Sequence, residues 1–403
     1  MLPTPQKGES ESQMSIPITK PYFGPEELLA VQKPIETGWV VQGIYVKQFE
    51  EKFSAFTKVG YSSATTSCTT ALHVAVAALG LKPGDEVIVP AFTWVATPNV
   101  VEYMGAKPVF CDVDLRTFNI DVDQVESLIT PRTVGILPVH LFGLCVDMDP
   151  LMRIARKHHL WVVEDAACAF GSWYKGKHAG TFGEFGCFSF HPRKSVTTGE
   201  GGMTTTERKD LDDKVRSLRD HGASRSDLTR HNSKRAFLLA DFNDLGYNYR
   251  MTDIQGALGC AQMDKAPFIM QERTRHAQRY NDLLAEVSWL ETPVVPPGYV
   301  HGYQSYVCLF RPETPSMSNV ERLFDRRNEI MVRLEERGIA TRQGTHAPVI
   351  QGYYTDKYGL RPDQFPNAFY ADQLTITLPL YVQLTPEEQD TVVRELLAAY
   401  QSL

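Results

Sequence analysis

The stretch Phe185-Gly186-Cys187-Phe188-Ser189-Phe190-His191-Pro192-Arg193-Lys194 gives the first indication of the fold. Its apolar and aromatic residues predict a buried strand, which Pro192 ends. Lys194 follows at once, and the glycine-rich sequence Thr198-Gly199-Glu200-Gly201-Gly202 after it lets the backbone approach a ligand closely. A loop lysine is most often a solvent-exposed side chain. The alternative is an amine held at the edge of a sheet for chemistry, and the remaining sequence decides between the two.

Length and composition predict a globular protein with a large core. The chain has 403 residues, of which 43% are hydrophobic, and this suits two domains of unequal size. No apolar run approaches the ~20 residues that span a bilayer, and residues 1–13 are polar, without a signal-peptide core. We therefore expect a cytoplasmic protein without a membrane partner, whose residues 1–15 form a disordered N-terminal tail.

Charge and cysteine content argue against two further classes. The net charge of −7 is spread along the chain, without the basic patch that binding to nucleic acid requires. Seven cysteines occur without a Cys-x-x-Cys pair, which predicts reduced thiols rather than disulfides or a zinc site. We expect neither a nucleic-acid partner nor a metal.

Short apolar runs alternate with helical patterns after Asp85. Strands separated by helices predict β-α-β units and a mainly parallel sheet covered on both faces, which is an α/β fold. Ligands of such sheets bind beyond the carboxyl ends of the strands. This rule selects residues 92–94, Asp165 and the segment 189–194. The predicted strands are 86–90, 108–111, 134–140 and 160–164, and the predicted helices are 97–104, 122–129 and 150–159.

The start of one predicted helix carries groups that suit a phosphate. Thr69 and Thr70 precede an alanine-rich helix that ends at Gly80, so free N–H groups and two hydroxyls coincide at its N-terminus. An ordinary N-cap explains the same residues. The segment from Gly171 to His178 resembles a nucleotide P-loop, but it has His178 where a Ser or Thr would hold magnesium. We interpret it as a hairpin turn.

The second half of the chain mixes helices, strands and one long irregular segment. Residues 223–244 have no clear period, and their cations Arg225, Arg230, Lys234 and Arg235 either hold an anionic substrate or are solvated loop charges. Residues 342–346 are a further candidate for lining the pocket. Helices are predicted at 26–38, 46–57, 210–220, 253–263, 267–287, 320–337 and 386–400, and strands at 306–310 and 375–378.

Four kinds of group are predicted to meet at one edge of the sheet: an amine, a carboxylate, an aromatic ring and a helix start. A pyridoxal phosphate (PLP) enzyme needs these four. Lys194 would form a Schiff base with the aldehyde of PLP, and Asp165 would keep the pyridine nitrogen protonated. An aromatic face would stack on the ring, and the helix start would hold the phosphate. Asp165 taken alone is equally explained as a helix cap.

Several ordered motifs together resemble the DegT/StrS-type nucleotide-sugar aminotransferases, a family of fold type I PLP enzymes. The resemblance runs from about residue 18 to the carboxyl terminus. The motifs are Thr69-Thr70-Ala71-Leu72-His73, Pro90-Ala91-Phe92-Thr93-Trp94, Glu164-Asp165-Ala166-Ala167, Ser189-Phe190-His191-Pro192-Arg193-Lys194 with Thr198-Gly199-Glu200-Gly201-Gly202, and Gly246-Tyr247-Asn248-Tyr249-Arg250.

This resemblance implies a role for each matching residue. It implies that Lys194 forms the Schiff base and moves protons, that Asp165 contacts the pyridine nitrogen and that Trp94 stacks on the ring. It also implies phosphate contacts from Thr69, Thr70 and Ser189. In the family, the asparagine that corresponds to Asn248 reaches the phosphate of the neighbouring subunit, which implies a homodimer with shared active sites.

The resemblance also implies a domain arrangement and marks two departures. A large PLP-binding domain with a seven-stranded, mainly parallel sheet is expected over residues 16–265, and a smaller C-terminal α/β domain over residues 266–403. Cys168 stands near the phenolic oxygen of the cofactor, where the family usually has Gln or His, and a thiol is a weaker hydrogen-bond partner. Ser67-Cys68 replaces the commoner Asn-Gly before the phosphate threonines.

The implied activity is transfer of an amino group from L-glutamate to a keto group of a nucleotide-linked keto-deoxy sugar. Amino-sugar synthesis for a polysaccharide or lipopolysaccharide is the implied context. The Thr-Gly-Glu-Gly-Gly sequence that begins at Thr198 resembles members that act at C4 of the sugar. One alternative is a PLP-dependent sugar dehydratase, although such family members have histidine in place of Lys194. Another alternative is a PLP-bound regulator or sensor without turnover.

Overall fold

A seven-stranded sheet lies at the centre of the computed structural model, which describes residues 15–224 and 240–403. The helices are α1 Pro25–Thr37, α2 Ile44–Thr57, α3 Cys68–Ala78, α4 Ala96–Tyr103, α5 Val122–Val125, α6 Met148–Lys157, α7 Lys209–Leu218, α8 Asp253–Leu283, α9 Val320–Glu336, α10 Gly352–Tyr358, α11 Pro366–Leu374 and α12 Pro386–Gln401. The strands are β1 Tyr61–Thr65, β2 Glu86–Pro90, β3 Lys107–Cys111, β4 Thr133–Ile136, β5 Trp161–Asp165, β6 Trp173–Tyr174, β7 Lys177–His178, β8 Phe185–Ser189, β9 Gly202–Thr206, β10 Leu290–Glu291, β11 Tyr299–Val300, β12 Tyr306–Phe310 and β13 Thr375–Leu378.

The strand order of this sheet is β1-β9-β8-β5-β4-β2-β3. Strand β9 pairs antiparallel with both of its neighbours, and the remaining neighbouring pairs are parallel. The predicted α/β fold with a mainly parallel sheet is therefore confirmed. Side chains of β2 alternate between two buried clusters, because Val87 and Val89 pack on one face and Ile88 on the other.

The sequence did not indicate the two strands at one edge of the sheet. Strands β1 and β9 read Tyr-Ser-Ser-Ala-Thr and Gly-Met-Thr-Thr-Thr, which is too polar for an apolar run. They pair with each other, so that Ala64 lies opposite Met203. Their hydroxyls are buried and hydrogen-bonded, as where Ser63 Oγ donates to Asp212 at 2.7 Å. Buried hydroxyls with partners are tolerated in a core, and this explains why the pattern was missed.

The prediction of separate helices at 253–263 and 267–287 is wrong, since α8 runs without a break through Pro267. Proline removes one backbone hydrogen bond within a helix. The helix persists because it packs closely on its neighbours. A Cβ atom on Gly256 would lie 2.5 Å from the backbone nitrogen of Val46 in α2. Ala266 and Ile269, on either side of the proline, are fully buried. Tertiary packing thus compensates for the lost hydrogen bond.

The part of the chain after α8 forms a second, antiparallel sheet in the order β10-β12-β13. The predicted strands at 306–310 and 375–378 coincide with β12 and β13. Thr385 caps α12 and forms a reciprocal capping box with Glu388. The hairpin predicted near Gly171 is also confirmed. Strands β6 and β7 pair antiparallel around Lys175 and Gly176, which have φ angles of 49° and 81°.

Within residues 15–224 and 240–403, no helix is long and apolar enough to cross a membrane.

Candidate active site

A cavity of about 580 Å³ opens where β2, β5 and β8 end. The segment Thr93–Trp94 follows β2, Asp165 ends β5, and Ser189 ends β8. The N-terminus of α3 forms another wall, and residues 342–346 of the C-terminal part form the wall opposite. The backbone nitrogen of Thr93 donates to the carbonyl of His346 at 2.9 Å, which ties the two parts of the chain together. The location agrees with the rule for parallel sheets.

Asp165 is a buried carboxylate that faces this cavity. Its Oδ2 accepts a hydrogen bond from Thr97 Oγ1 at 2.8 Å, and its Oδ1 accepts one from the backbone nitrogen of Ala167 at 3.1 Å. Burial raises the pKa of Asp165, and these hydrogen bonds offset that effect only in part. Within the described ranges no cation lies within ion-pair distance of it. Among the described residues Asp165 is therefore a buried acid without an ion-pair partner, although the charge of Lys194 also favours its ionised form and lowers its pKa.

Lys194 lies in the turn after β8. Its backbone nitrogen donates to the carbonyl of His191 at 2.8 Å, and Thr197 Oγ1 and the backbone nitrogen of Thr198 both donate to the carbonyl of Phe190. These bonds hold the turn closed, so that the lysine is half-buried and reaches the cavity. Its Nζ lies 3.1 Å from Cys168 Sγ. The lysine is thus positioned by its own loop rather than by an ion pair.

The three predicted phosphate ligands differ in their surroundings: Thr70 closes the N-terminal cap of α3, whereas Thr69 and Ser189 line the cavity. Thr70 Oγ1 accepts from the backbone nitrogen of Ser67 at 2.9 Å and lies 2.8 Å from its carbonyl, so this hydroxyl closes the helix cap. Thr69 lines the cavity, and its hydroxyl has no hydrogen bond with a described residue. Ser189 lines the cavity opposite Gly202, where a Cβ atom would lie 2.2 Å from the Ser67 carbonyl. The glycine is required by this close approach.

Trp94 stands at the mouth of the cavity with 56% of its surface exposed. Its ring centroid lies 5.8 Å from that of His346. A large aromatic side chain left this exposed at a cavity presents a face for stacking.

Three thiols surround the carboxylate. Cys68 Sγ lies 4.0 Å from Asp165 Oδ1, and Cys168 lines the cavity beside Lys194. Cys187 is fully buried on β8 beneath them. Burial raises the pKa of the Cys68 and Cys187 thiols, with the charge of Asp165 acting in the same direction. These two thiols are therefore neutral at physiological pH.

Asn248 does not contribute to this cavity. It is exposed and pairs through its backbone with Asp220, while the adjoining Tyr247 and Tyr249 pack on His73 of α3. Arg225, Arg230, Lys234 and Arg235, which the sequence offered as ligands of an anionic substrate, lie outside the described residues.

Sequence reasoning missed a buried pair beneath the cavity. Glu164 Oε2 lies 2.8 Å from His140 Nε2, and both side chains are fully buried. The backbone nitrogen of Val146 donates to His140 Nδ1 at 3.1 Å, so the imidazole proton is on Nε2 and points at the carboxylate. The backbone nitrogen of His140 also donates to the carbonyl of Asp165. The signal was available, because a polar residue ending an apolar strand at this sheet edge is unusual.

The donor set fits PLP. A buried carboxylate without a cationic partner suits a protonated pyridine nitrogen. A primary amine lines the same cavity, and an exposed indole stands at its mouth. The free hydroxyl of Thr69 at a helix N-terminus suits a phosphate.

Comparison with known proteins extends this picture. The sequence profile of the DegT/DnrJ/EryC1/StrS aminotransferase family matches residues 21–397. The chain is 35% identical to the spore coat polysaccharide biosynthesis protein SpsC of Bacillus subtilis, over 94% of this chain and 95% of that protein. It is 37% identical to GDP-perosamine synthase of Caulobacter vibrioides, over 94% of this chain and 97% of that protein.

Solved structures agree with the sequence comparisons. The PMP-form of the putative sugar aminotransferase Spr1654 from Streptococcus pneumoniae superposes with a TM-score of 0.89 at 28% identity, over 96% of this chain and 100% of that chain. The PLP-form of the same protein gives a TM-score of 0.88. The predicted fold type I architecture and the predicted cofactor, PLP, are confirmed.

Proposed function

The chain belongs to the DegT/DnrJ/EryC1/StrS aminotransferase family and is a PLP-dependent sugar aminotransferase, and we propose that it transfers the amino group of L-glutamate to the C4 keto group of a nucleotide-linked keto-deoxy sugar. The observation that carries this proposal is the convergence of the Lys194 amine and the unpaired Asp165 carboxylate on one cavity. The C4 position is supported by the sequence Thr198-Gly199-Glu200-Gly201-Gly202 after the lysine. A named relative that makes a perosamine and another that acts in spore coat polysaccharide biosynthesis support an amino-sugar product.

PLP supplies an electron-withdrawing ring that lets a carbon beside the nitrogen lose or gain a proton. In the proposal Lys194 would hold it covalently, Asp165 would hold its pyridine nitrogen, and Trp94 would cover its ring. Thr69 and Ser189 would hold its phosphate from within the cavity, and Thr70 shapes the helix start that would present backbone N–H groups to it.

Lys194 Nζ moves the protons. It takes a proton from the α-carbon of glutamate in one half-reaction and gives a proton to the sugar carbon in the other. Glutamate loses its amine and leaves as 2-oxoglutarate, and the sugar keto group becomes an amine. Each turnover exchanges one amine for one carbonyl oxygen, so no external oxidant or reductant is needed.

We further infer a two-domain chain that acts as a homodimer with shared active sites. Residues 16–265 would form the cofactor-binding domain and residues 266–403 the smaller domain. This division is supported by the cavity, which takes residues 342–346 from the smaller domain, while α8 spans the proposed boundary without a break. The dimer is supported by Asn248, which is exposed and lies away from its own cavity, as a residue serving a neighbouring subunit would be.

The test is turnover of nucleotide 4-keto-6-deoxy sugars with L-glutamate. We expect 2-oxoglutarate and amino-sugar in equal amounts, with the amine placed at C4 by NMR. A dehydratase would change the sugar without making 2-oxoglutarate, and a sensor would make neither product. The Lys194→Ala variant should lose the visible absorbance of the lysine-bound cofactor and at least about 10³-fold in rate. The matched control is Lys82→Ala, since Lys82 is exposed and outside the cavity. A Lys194→Ala variant that still transaminates would refute the role of the lysine.

A further inference from the structure

Two buried threonines connect the Asp165 carboxylate to the turn that carries Trp94. Thr97 lies in the first turn of α4, and its Oγ1 donates to Asp165 Oδ2 at 2.8 Å. Thr93 lies between β2 and α4, and its Oγ1 is 3.0 Å from Thr97 Oγ1. Both threonine side chains are buried. The three groups therefore form a hydrogen-bonded network that is shielded from water, and we refer to it as the Thr93–Thr97–Asp165 network.

The direction of these hydrogen bonds follows from the ionised carboxylate. A carboxylate only accepts, so the single hydroxyl proton of Thr97 is directed at Asp165. Thr97 Oγ1 then accepts from Thr93, and both hydroxyl protons are used. A neutral carboxyl that donated to Thr97 would reverse both bonds and leave the Thr93 proton without an acceptor among the described residues. The network therefore favours the ionised form of Asp165.

The backbone is fixed independently at both ends of the network. The Thr93 nitrogen donates to the carbonyl of His346 at 2.9 Å. The Asp165 nitrogen donates to the carbonyl of Pro138 at 2.8 Å. The hydroxyls of Thr93 and Thr97 thus join two segments that are already held in place. Rotation of the Asp165 carboxylate is therefore restricted by the Thr97 hydroxyl from which it accepts.

We propose that Thr97, oriented by Thr93, is a positioning residue that holds the Asp165 carboxylate ionised and directed at the pyridine nitrogen of PLP. This inference rests on the proposed role of Asp165 at that nitrogen. Thr97 itself does not line the cavity, so it acts through the carboxylate and not on a substrate. A hydrogen bond to a charged group contributes more than one between neutral groups, and this one is buried.

Other titratable groups face Asp165 from each neighbouring element. Lys194 lies in the turn after β8, and its charge also favours the ionised form of Asp165. Cys187 lies on β8, and Cys68 Sγ of α3 is 4.0 Å from Asp165 Oδ1. The backbone nitrogen of His140, which follows β4, donates to the Asp165 carbonyl. None of these groups is altered when Thr97 is replaced, so a comparison of variants isolates the hydroxyl.

NMR of the holoenzyme loaded with isotope-labelled PLP tests the network through the protonation of the ring nitrogen. In Thr97→Val the pH midpoint of this protonation should fall by about one pH unit, because the carboxylate is held less well in its ionised form. The value of kcat should fall about 10-fold, with KM for L-glutamate changed less than about 2-fold. Thr97→Ser keeps the hydroxyl and should restore both values. Thr93→Val should give a smaller change in the same direction, because Thr97 can still donate to Asp165.

Stability of the cofactor-free protein gives a readout that does not depend on turnover. Without the Thr97 hydroxyl, the folded-state pKa of Asp165 should lie further above its ordinary value of 3.8. The stability lost in Thr97→Val should therefore grow as pH rises from the folded-state pKa of the wild type to that of the variant, and stay constant above it. In an Asp165→Asn background this pH dependence should vanish.

The matched control is Thr57→Val, which makes the same change at a buried helical position outside the cavity. The Thr57 hydroxyl donates to the carbonyl of Phe53 at 2.9 Å. This variant should lose stability without a pH dependence from Asp165 and without a change in the ring-nitrogen midpoint.

Three outcomes would contradict the inference. An unchanged ring-nitrogen midpoint and rate in Thr97→Val would overturn the network alone. Equal effects of Thr97→Ser and Thr97→Val would overturn it too, because they would indicate packing rather than the hydroxyl. An unchanged midpoint in Asp165→Asn would refute the proposed role of Asp165 itself, and the inference with it, so the two failures are distinguishable.

Discussion

Two consecutive carboxylates at the end of β5 have opposite surroundings. Glu164 points to the side of the sheet away from the cavity, where it accepts from His140 Nε2 and from the backbone nitrogens of Gly180, Phe182 and Gly183 at 2.6 to 2.8 Å. Asp165 points into the cavity, where it accepts hydrogen bonds from Thr97 Oγ1 and the Ala167 backbone nitrogen and has the Cys68 thiol 4.0 Å from its Oδ1. Alternation along a strand separates the two.

These surroundings distinguish a structural acid from a candidate ligand-binding acid. Glu164 has its lone pairs satisfied by protein donors and holds the 180–183 loop against His140, so it has no capacity left for a ligand. Asp165 is also buried, but it accepts fewer hydrogen bonds from the described residues than Glu164 does, and it lines the cavity. Buried polar groups without enough partners are concentrated at binding sites. We therefore expect Glu164 to serve stability and Asp165 to serve the cofactor.

Replacing the functional acid should have the largest effect. Asp165→Asn removes the charge that would hold the pyridine nitrogen, and we expect a loss of about 10²- to 10³-fold in transamination rate. The variant should be at least as stable as the wild type, because the asparagine keeps its shape and the Ala167 hydrogen bond. Initial rates and urea unfolding measure the two quantities. Loss of folding together with activity would show that Asp165 is structural too.

Replacing the structural acid, Glu164, should give the next largest effect, and this effect should be on stability rather than on rate. Glu164→Gln puts an amide NH₂ where the carboxylate accepted backbone or imidazole hydrogens, and we expect it to lower the free energy of unfolding by about 3 kcal/mol. The rate of the folded variant should fall much less than that of Asp165→Asn. Urea unfolding monitored by tryptophan fluorescence gives the first number. A fully stable Glu164→Gln variant would contradict the assignment.

The pH dependence of stability should reveal the raised pKa of Asp165, with a smaller change in the free energy of unfolding than the replacement of Glu164 gives. The folded-state pKa of Asp165 is raised by burial above its ordinary value of 3.8. The folded protein therefore binds this proton more tightly than the unfolded chain does. As pH rises from the unfolded to the folded pKa, ionisation of Asp165 costs stability, and the cost is complete above that window. Cofactor-free Asp165→Asn should thus gain stability relative to cofactor-free wild type across the same window. A difference between the two that does not change with pH would contradict the raised pKa.

The sequence allowed much of the fold to be predicted, and the exceptions have physical causes. The parallel strands were visible because strands buried on both faces are apolar throughout. Strands β1 and β9 were missed because their buried residues are hydroxylated, and α8 was divided at Pro267 because a local rule takes no account of packing on α2.

The candidate site could be predicted where a reactive residue type directly follows a predicted strand. Lys194 after a strand and Asp165 after another were found because the topology brings strand ends together. The helix start suggested a phosphate role for Thr69 and Thr70, and the resemblance supplied the roles of Trp94, Ser189 and Asn248. The roles of all these residues, like those of Lys194 and Asp165, remain predictions. His140 escaped notice because its role depends on a hydrogen-bond network.

The smallest effect is expected for replacing Cys168 by serine. The same replacement at Cys187 allows the cavity to be compared with the packed core. Cys168→Ser should change the rate by less than about 5-fold and the stability by less than about 1 kcal/mol, because a hydroxyl can still meet Lys194 Nζ, directly or through water in the cavity. The matched variant is Cys187→Ser, which makes the same thiol-to-hydroxyl change at a fully buried position without a hydrogen-bond partner among the described residues. There the hydroxyl is desolvated, and we expect a loss of about 1–3 kcal/mol in the free energy of unfolding. Urea unfolding of the two variants together with steady-state rates measures the contrast. If Cys168→Ser were inactive while stable, the thiol itself would be part of the chemistry. If Cys187→Ser cost no more than Cys168→Ser, the core beneath the carboxylates would be less dry than its burial indicates.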